Sequence, residues 1–157
     1  MTASDIITAL IAVYGAGLST YIAVREWKAK RPDIRVEVTE GRVQLSLDAW
    51  SDHNIFIEAR NQGHKAVTLS IMVGFILPDG ERWLITRPLG GTESLPYELM
   101  PEKRYMVRTP AQKLASELES MGFPDKVSLI GYYDDEVGRK HKSKPTIFDT
   151  NTAKLVK

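Results

Sequence analysis

The chain contains no cysteine. That removes disulfide staples, thiolate metal ligands and any thiol nucleophile together. It suits a reducing compartment without requiring one, because exported proteins can also dispense with cysteine. An excess of charge is missing as well: 21 Lys and Arg stand against 20 Asp and Glu, a net charge of +1. So neutral a chain has no global attraction for polyanions, and nucleic acid is not expected among its partners. His53, His64 and His141 each lack a second histidine three or four residues away, so the spacing of a histidine metal site is absent. Gly90-Gly91 is a lone pair without a strand-loop-helix context, and the string Gly-x-Ser-x-Gly does not occur; neither a phosphate cradle nor a nucleophile elbow can be read. The expectation is a protein without cofactor or metal, and not an enzyme.

What is present begins with an uncharged run, IITALIAVYGAGLSTYIAV, from Ile6 to Val24. Its length is about what a helix rising 1.5 Å per residue needs to cross a hydrocarbon core of roughly 30 Å. Ser4 and Asp5 suit a helix start, and Asp5 the positive end of its dipole. Arg25, Trp27, Lys28, Lys30 and Arg31 follow at once, residue types that settle at a membrane interface. A signal peptide places its basic residues before the apolar run, not after it. The expectation is one uncleaved transmembrane helix in an inner (plasma) membrane. The basic cluster after it sets the N-terminus outside and the C-terminal part in the cytoplasm. A buried helix is the alternative.

Within that run the small residues share one side. Ala12, Gly15, Ala16, Ser19 and Ala23 fall on a common arc of a helix turning about 100° per residue. Such a face lets a second backbone approach, so self-association or docking on another membrane protein's helix is expected through it. Ordinary use of small residues is the alternative.

From Ile34 the period changes to two. Ile34, Val36 and Val38 alternate with Arg35, Glu37 and Thr39, a strand with one wet face. Glu40-Gly41 turns the chain, and Val43, Leu45 and Leu47 alternate again. Residues 54–61 (NIFIEARN) and 67–77 (VTLSIMVGFIL) are further strands, the second closed by Pro78-Asp79-Gly80. Trp83 to Ile85 can return as a hairpin arm, 87–96 is punctuated as a loop, and 103–109 is another strand. One helix follows, with Thr109 as cap, Pro110 in the first turn, Leu114, Leu118 and Met121 on one side and Gly122 as stop. Residues 126–133 (KVSLIGYY) form a strong strand, 134–138 turn, and 146–148 can pair back. Short strands at this spacing predict an antiparallel, mainly β sandwich with one short helix. The division is 1–32 for the helix and basic segment and 33–157 for the sandwich.

This order of span, basic stretch and sandwich resembles small uncharacterised bacterial single-span membrane proteins with an immunoglobulin-like or fibronectin-like domain. The resemblance is of outline and carries no residue motif. It implies a membrane-tethered binding or scaffold module with a protein partner, or an accessory subunit of a larger membrane assembly.

Two groups could carry more. Asp48, Asp52 and His53 lie together in sequence, as do Asp134, Asp135 and Glu136. If they converged, a metal-dependent enzyme would be the third reading, although neighbouring side chains on a strand point to opposite faces. Arg139, Lys140, Lys142 and Lys144, with His141 among them, form the densest basic run. It could touch an anionic surface such as lipid headgroups or phosphate. A lysine-guarded sheet edge is the alternative.

Overall fold

The computed structural model describes residues 3–29, 32–46, 49–86 and 94–155. Helix α1 spans Ala3–Ala29. Two antiparallel sheets follow. The first contains β1 (Ile34–Gly41), β4 (Asn54–Asn61) and β8 (Arg104–Pro110) in that order. The second runs β10 (Lys140–Lys142), β9 (Lys126–Asp135), β5 (Val67–Ile76) and β6 (Arg82–Leu84). Strand β7 (Tyr97–Leu99) adds to β5, and β11 (Thr146–Asp149) adds to β9. A separate pair, β2 (Gln44–Ser46) and β3 (Ala49–Trp50), lies between β1 and β4 in sequence. Helix α2 (Ala111–Ser120) follows β8, and α3 (Thr150–Leu155) follows β11.

The period-two pattern builds the core directly. On β1, Ile34 and Val36 are buried and Arg35 and Glu37 exposed. On β9, Val127, Leu129 and Tyr133 turn inward against Ile55, Ile57 and Val107 of the first sheet, in one apolar cluster. The Tyr133 hydroxyl crosses between sheets and donates to the Ile57 carbonyl oxygen at 2.8 Å. Gly131 faces Val38 and Ile57 so closely that a Cβ there would run into both side chains. The missing side chain therefore sets how near β9 can come to β1 and β4.

Local chemistry ends the elements as the sequence suggests in most places. Gly122 takes φ 81°, its N–H donates to the Glu119 carbonyl, and Phe123 N–H donates to that of Leu118. This paired closure satisfies two carbonyls left over by α2. Two details of that helix differ. Thr109 makes no capping hydrogen bond, because it is buried in β8 and paired with Ile55. Met121 is exposed, because it sits at the cap after the buried Leu114 and Leu118. Strands β3, β7 and β10 and helix α3 were not expected from the sequence.

The expected transmembrane span is not borne out. A helix forms over Ile6 to Val24, but among the described residues no helix is long and apolar enough to cross a membrane. The run is free of charge, which is a weaker condition than being apolar. Thr8, Tyr14, Gly15, Gly17, Ser19, Thr20 and Tyr21 interrupt it, and the Thr8 and Thr20 hydroxyls fold back onto the Ser4 and Ala16 carbonyls. The inner-membrane location, the orientation and the single-span fold class rested on that span and fall with it. Mainly β antiparallel architecture stands.

Candidate interaction groove

Among the described residues strand β1 is paired on one side only, to β4. Gln62 N–H donates to the Asp33 carbonyl at 2.7 Å, which fixes the alternation along the pair. Odd-numbered residues of β1 then exchange bonds with β4. The N–H and C=O of Ile34, Val36 and Val38 point away from it, and among the described residues they have no hydrogen-bond partner. Their side chains anchor the strand from the other direction: Ile34 and Val36 are buried and Val38 half-buried.

Across from this edge stands the edge of the other sheet. Strands β10 and β11 both lie against β9, and Ser143 bridges the break between them. Ser143 N–H donates to the Gly131 carbonyl, and Gly131 N–H donates to the Ser143 hydroxyl at 2.9 Å. The space between the two edges is an open groove of about 610 Å³ whose walls include Ile34, Val36 and Val38 on one side and Lys142, Ser143 and Lys144 on the other. Arg35 and Glu37, on the same strand, neutralise each other at 2.8 Å. That leaves Lys142 and Lys144 against Asp33, a small surplus of positive charge.

The basic run is thus divided by the fold. Lys142 and Lys144 line the groove. Lys140 sits across from Asp134 in the β10–β9 ladder, and the exposed Arg139 closes the hairpin through its main chain: its carbonyl accepts from Asp135 N–H, and its N–H donates to Asp135 Oδ1 at 2.8 Å. His141 turns inward and meets Asp135 Oδ2 at 3.1 Å. That pairing was not read from the sequence. The signal was present as an acid and a histidine six residues apart around Gly138, at φ 80°.

The acidic groups do not converge. Asp134 faces Arg82 at 3.9 Å, while the neighbouring Asp135 is buried on the opposite face. The Arg82 guanidinium lies 5.7 Å from the centre of the Tyr132 ring. Burial pushes the Tyr132 hydroxyl above its ordinary range, and Arg82 opposes that. His53 meets Glu40 at 3.6 Å, and Glu40 also feels Asp149. Partial burial raises the Glu40 carboxyl above the usual carboxylate range, and His53 opposes the rise. Asp149 pairs with Lys126, at the far end of β9 from Asp135. At about 3.3 Å per residue the nine steps from Lys126 to Asp135 span roughly 30 Å, and His53 lies toward the Lys126 end. Asp48 lies outside the described residues. Among the described residues no three His, Asp or Glu side chains come together as a metal site.

On α1 the expected packing face, Ala12, Gly15, Ala16, Ser19 and Ala23, is exposed, and a Cβ on Gly15 would meet nothing within 4 Å. Arg25 is exposed. The Trp27 and Lys28 side chains, and Lys30 and Arg31, lie outside what the structure describes. The groove escaped sequence reading, because whether a strand is an edge depends on sheet order and leaves no local trace.

The fold defines the chain as a mainly β antiparallel sandwich. No family model and no curated protein matches it. Among solved structures it is similar to an X-ray structure of a Northeast Structural Genomics Consortium target, at 18% identity and a TM-score of 0.39, over 74% of this chain and 86% of that one. It is also similar to a Bordetella pertussis protein provisionally named ApaA, at 16% identity and a TM-score of 0.36, over 76% of this chain and 95% of that one.

Proposed function

We propose that the chain is a protein-binding module whose contact surface is the groove between β1 and β10–β11. One observation carries this reading: among the described residues a long sheet edge is left unpaired beside a groove of about 610 Å³, whereas natural sandwiches usually cover or blunt such an edge. The strand orders β1-β4-β8 and β10-β9-β5-β6 favour an immunoglobulin-like or fibronectin-like arrangement. Sandwiches of that type serve many roles, so the order alone assigns none.

Site-specific photo-crosslinking in the protein's own cells tests this. A benzophenone side chain at Thr39, on the groove, is expected to trap a partner protein. The same group at Lys113, on the exposed side of α2, is expected to trap none. Equal trapping at both positions, or trapping at Lys113 alone, would overturn the assignment.

A second reading concerns α1. Leu10, Ile11, Val13 and Tyr14 are 65–74% exposed, an apolar surface large enough to drive assembly. On this reading α1 joins copies of the chain, and the groove remains free for a partner.

A further inference from the structure

We propose that the occupant of the groove is an extended, acidic segment of a partner protein, added to β1 as a new edge strand. This rests on the groove being the binding surface and names how it binds.

Three observations select the mode. First, the outward N–H and C=O groups of Ile34, Val36 and Val38 recur at every second residue and are unpartnered among the described residues. That is the pattern a further strand reads, whatever its sequence. Second, the same residues are fixed from behind by burial of Ile34 and Val36, so the edge is ordered before anything binds and little conformational entropy is lost there. Third, β1 has few of the usual guards. It contains no proline, its outward charges Arg35 and Glu37 satisfy each other, and its one inward charge, Glu40, sits near the far end of the strand and is met by His53.

Charge selects the occupant. Lys142 and Lys144 stand among the groove's lining residues. Asp33 is the acid left to oppose them in the lining once Arg35 and Glu37 are paired. Carboxylates on the incoming strand therefore meet favourable potential, and basic side chains meet repulsion. Of the basic run, Lys142 and Lys144 contribute to this selection.

The test uses the full chain, labelled with nitrogen-15, and synthetic probes: an alternating Glu-Val heptapeptide, the Lys-Val counterpart, and Glu-Val peptides N-methylated at alternate residues in either phase. The Glu-Val peptide is expected to shift the Ile34, Val36 and Val38 amide resonances and slow their hydrogen exchange. The Lys-Val peptide is expected to bind about tenfold more weakly or worse, an order that inverts in a Lys142→Glu, Lys144→Glu variant. One N-methylation phase is expected to weaken binding by about tenfold or more, because it removes the donors facing β1.

Equal binding of both N-methylated forms would overturn strand addition, as would unchanged exchange at the three amides. Slowed exchange without peptide, rising with protein concentration, would overturn it in favour of β1 pairing with a second copy. If Thr39 still traps a protein while no peptide protects β1, the groove binds by another mode and only this inference fails. If neither occurs, the functional reading fails with it.

Discussion

At the residue scale the two sheets meet at a few positions where a single atom matters. Gly131 is one, its Cα lying where a methyl group would enter Val38 and Ile57. Gly131→Ala should force β9 away from β1 and β4, at a cost of about 1–3 kcal/mol, seen as a lower urea midpoint with an unchanged slope. An unchanged midpoint would mean that the inter-sheet spacing yields more easily than this packing allows. Tyr133 is another. Tyr133→Phe loses the hydroxyl donated to Ile57, worth about 1 kcal/mol at neutral pH. Burial pushes the Tyr133 hydroxyl far above its ordinary range, which fixes the sign of the pH dependence. Its contribution is complete below the unfolded tyrosine value of about 10, and is lost above it as the unfolded chain ionises. The native advantage over Tyr133→Phe should therefore shrink as pH climbs past about 10, and a gap that widens there would contradict the assignment. Neither role could be read from KVSLIGYY alone. The period marks both positions as inward, but the partners come from β1 and β4, far away in sequence.

At the element scale the turn between β9 and β10 is held by one carboxylate. Asp135 accepts from Val137 and Arg139 main-chain N–H groups through Oδ1 and meets His141 through Oδ2. Asp135→Ala should remove these together, costing about 2–3 kcal/mol. Amide exchange should quicken first at Arg139 to His141, before the rest of β9. Uniform acceleration over the whole second sheet would instead mark the turn as part of the global unfolding unit. Elements with a strong period were legible: β1, β4, β5 and β9 lie where alternation or a continuous apolar run puts them. Of the short strands, β2, β6 and β11 fall near the expected 43–47, 83–85 and 146–148, and others were not legible. Strand β7 is three residues whose pairing comes wholly from β5. Strand β10 is Lys-His-Lys, a composition that reads as surface and becomes a strand only because β9 offers an edge. Tertiary pairing overrides propensity in both cases.

For the whole molecule, the sandwich class followed from the rhythm of strands and turns, whereas sheet order did not. The groove, which depends on β1 and β10–β11 being edges on the same side, was therefore invisible in the sequence. The amino-terminal helix shows the opposite error: its existence was legible, and its environment was inferred from an uncharged run of spanning length and the basic flank after it. The apolar core cluster lies within residues 34–153, and Ile7, Leu10, Val13, Leu18 and Ile22 of α1 stay exposed. Such a helix contributes little burial to the sandwich and leaves an uncovered apolar surface of its own. A chain reduced to residues 32–157 should therefore unfold with the same denaturant midpoint, within about 0.5 kcal/mol of the full chain. The full chain should sediment as larger species as its concentration rises, and the shortened one should not. A shortened chain that fails to fold would show that α1 supports the core. Equal sedimentation of the two would remove α1 as an assembly element and leave the groove as the protein's one proposed contact.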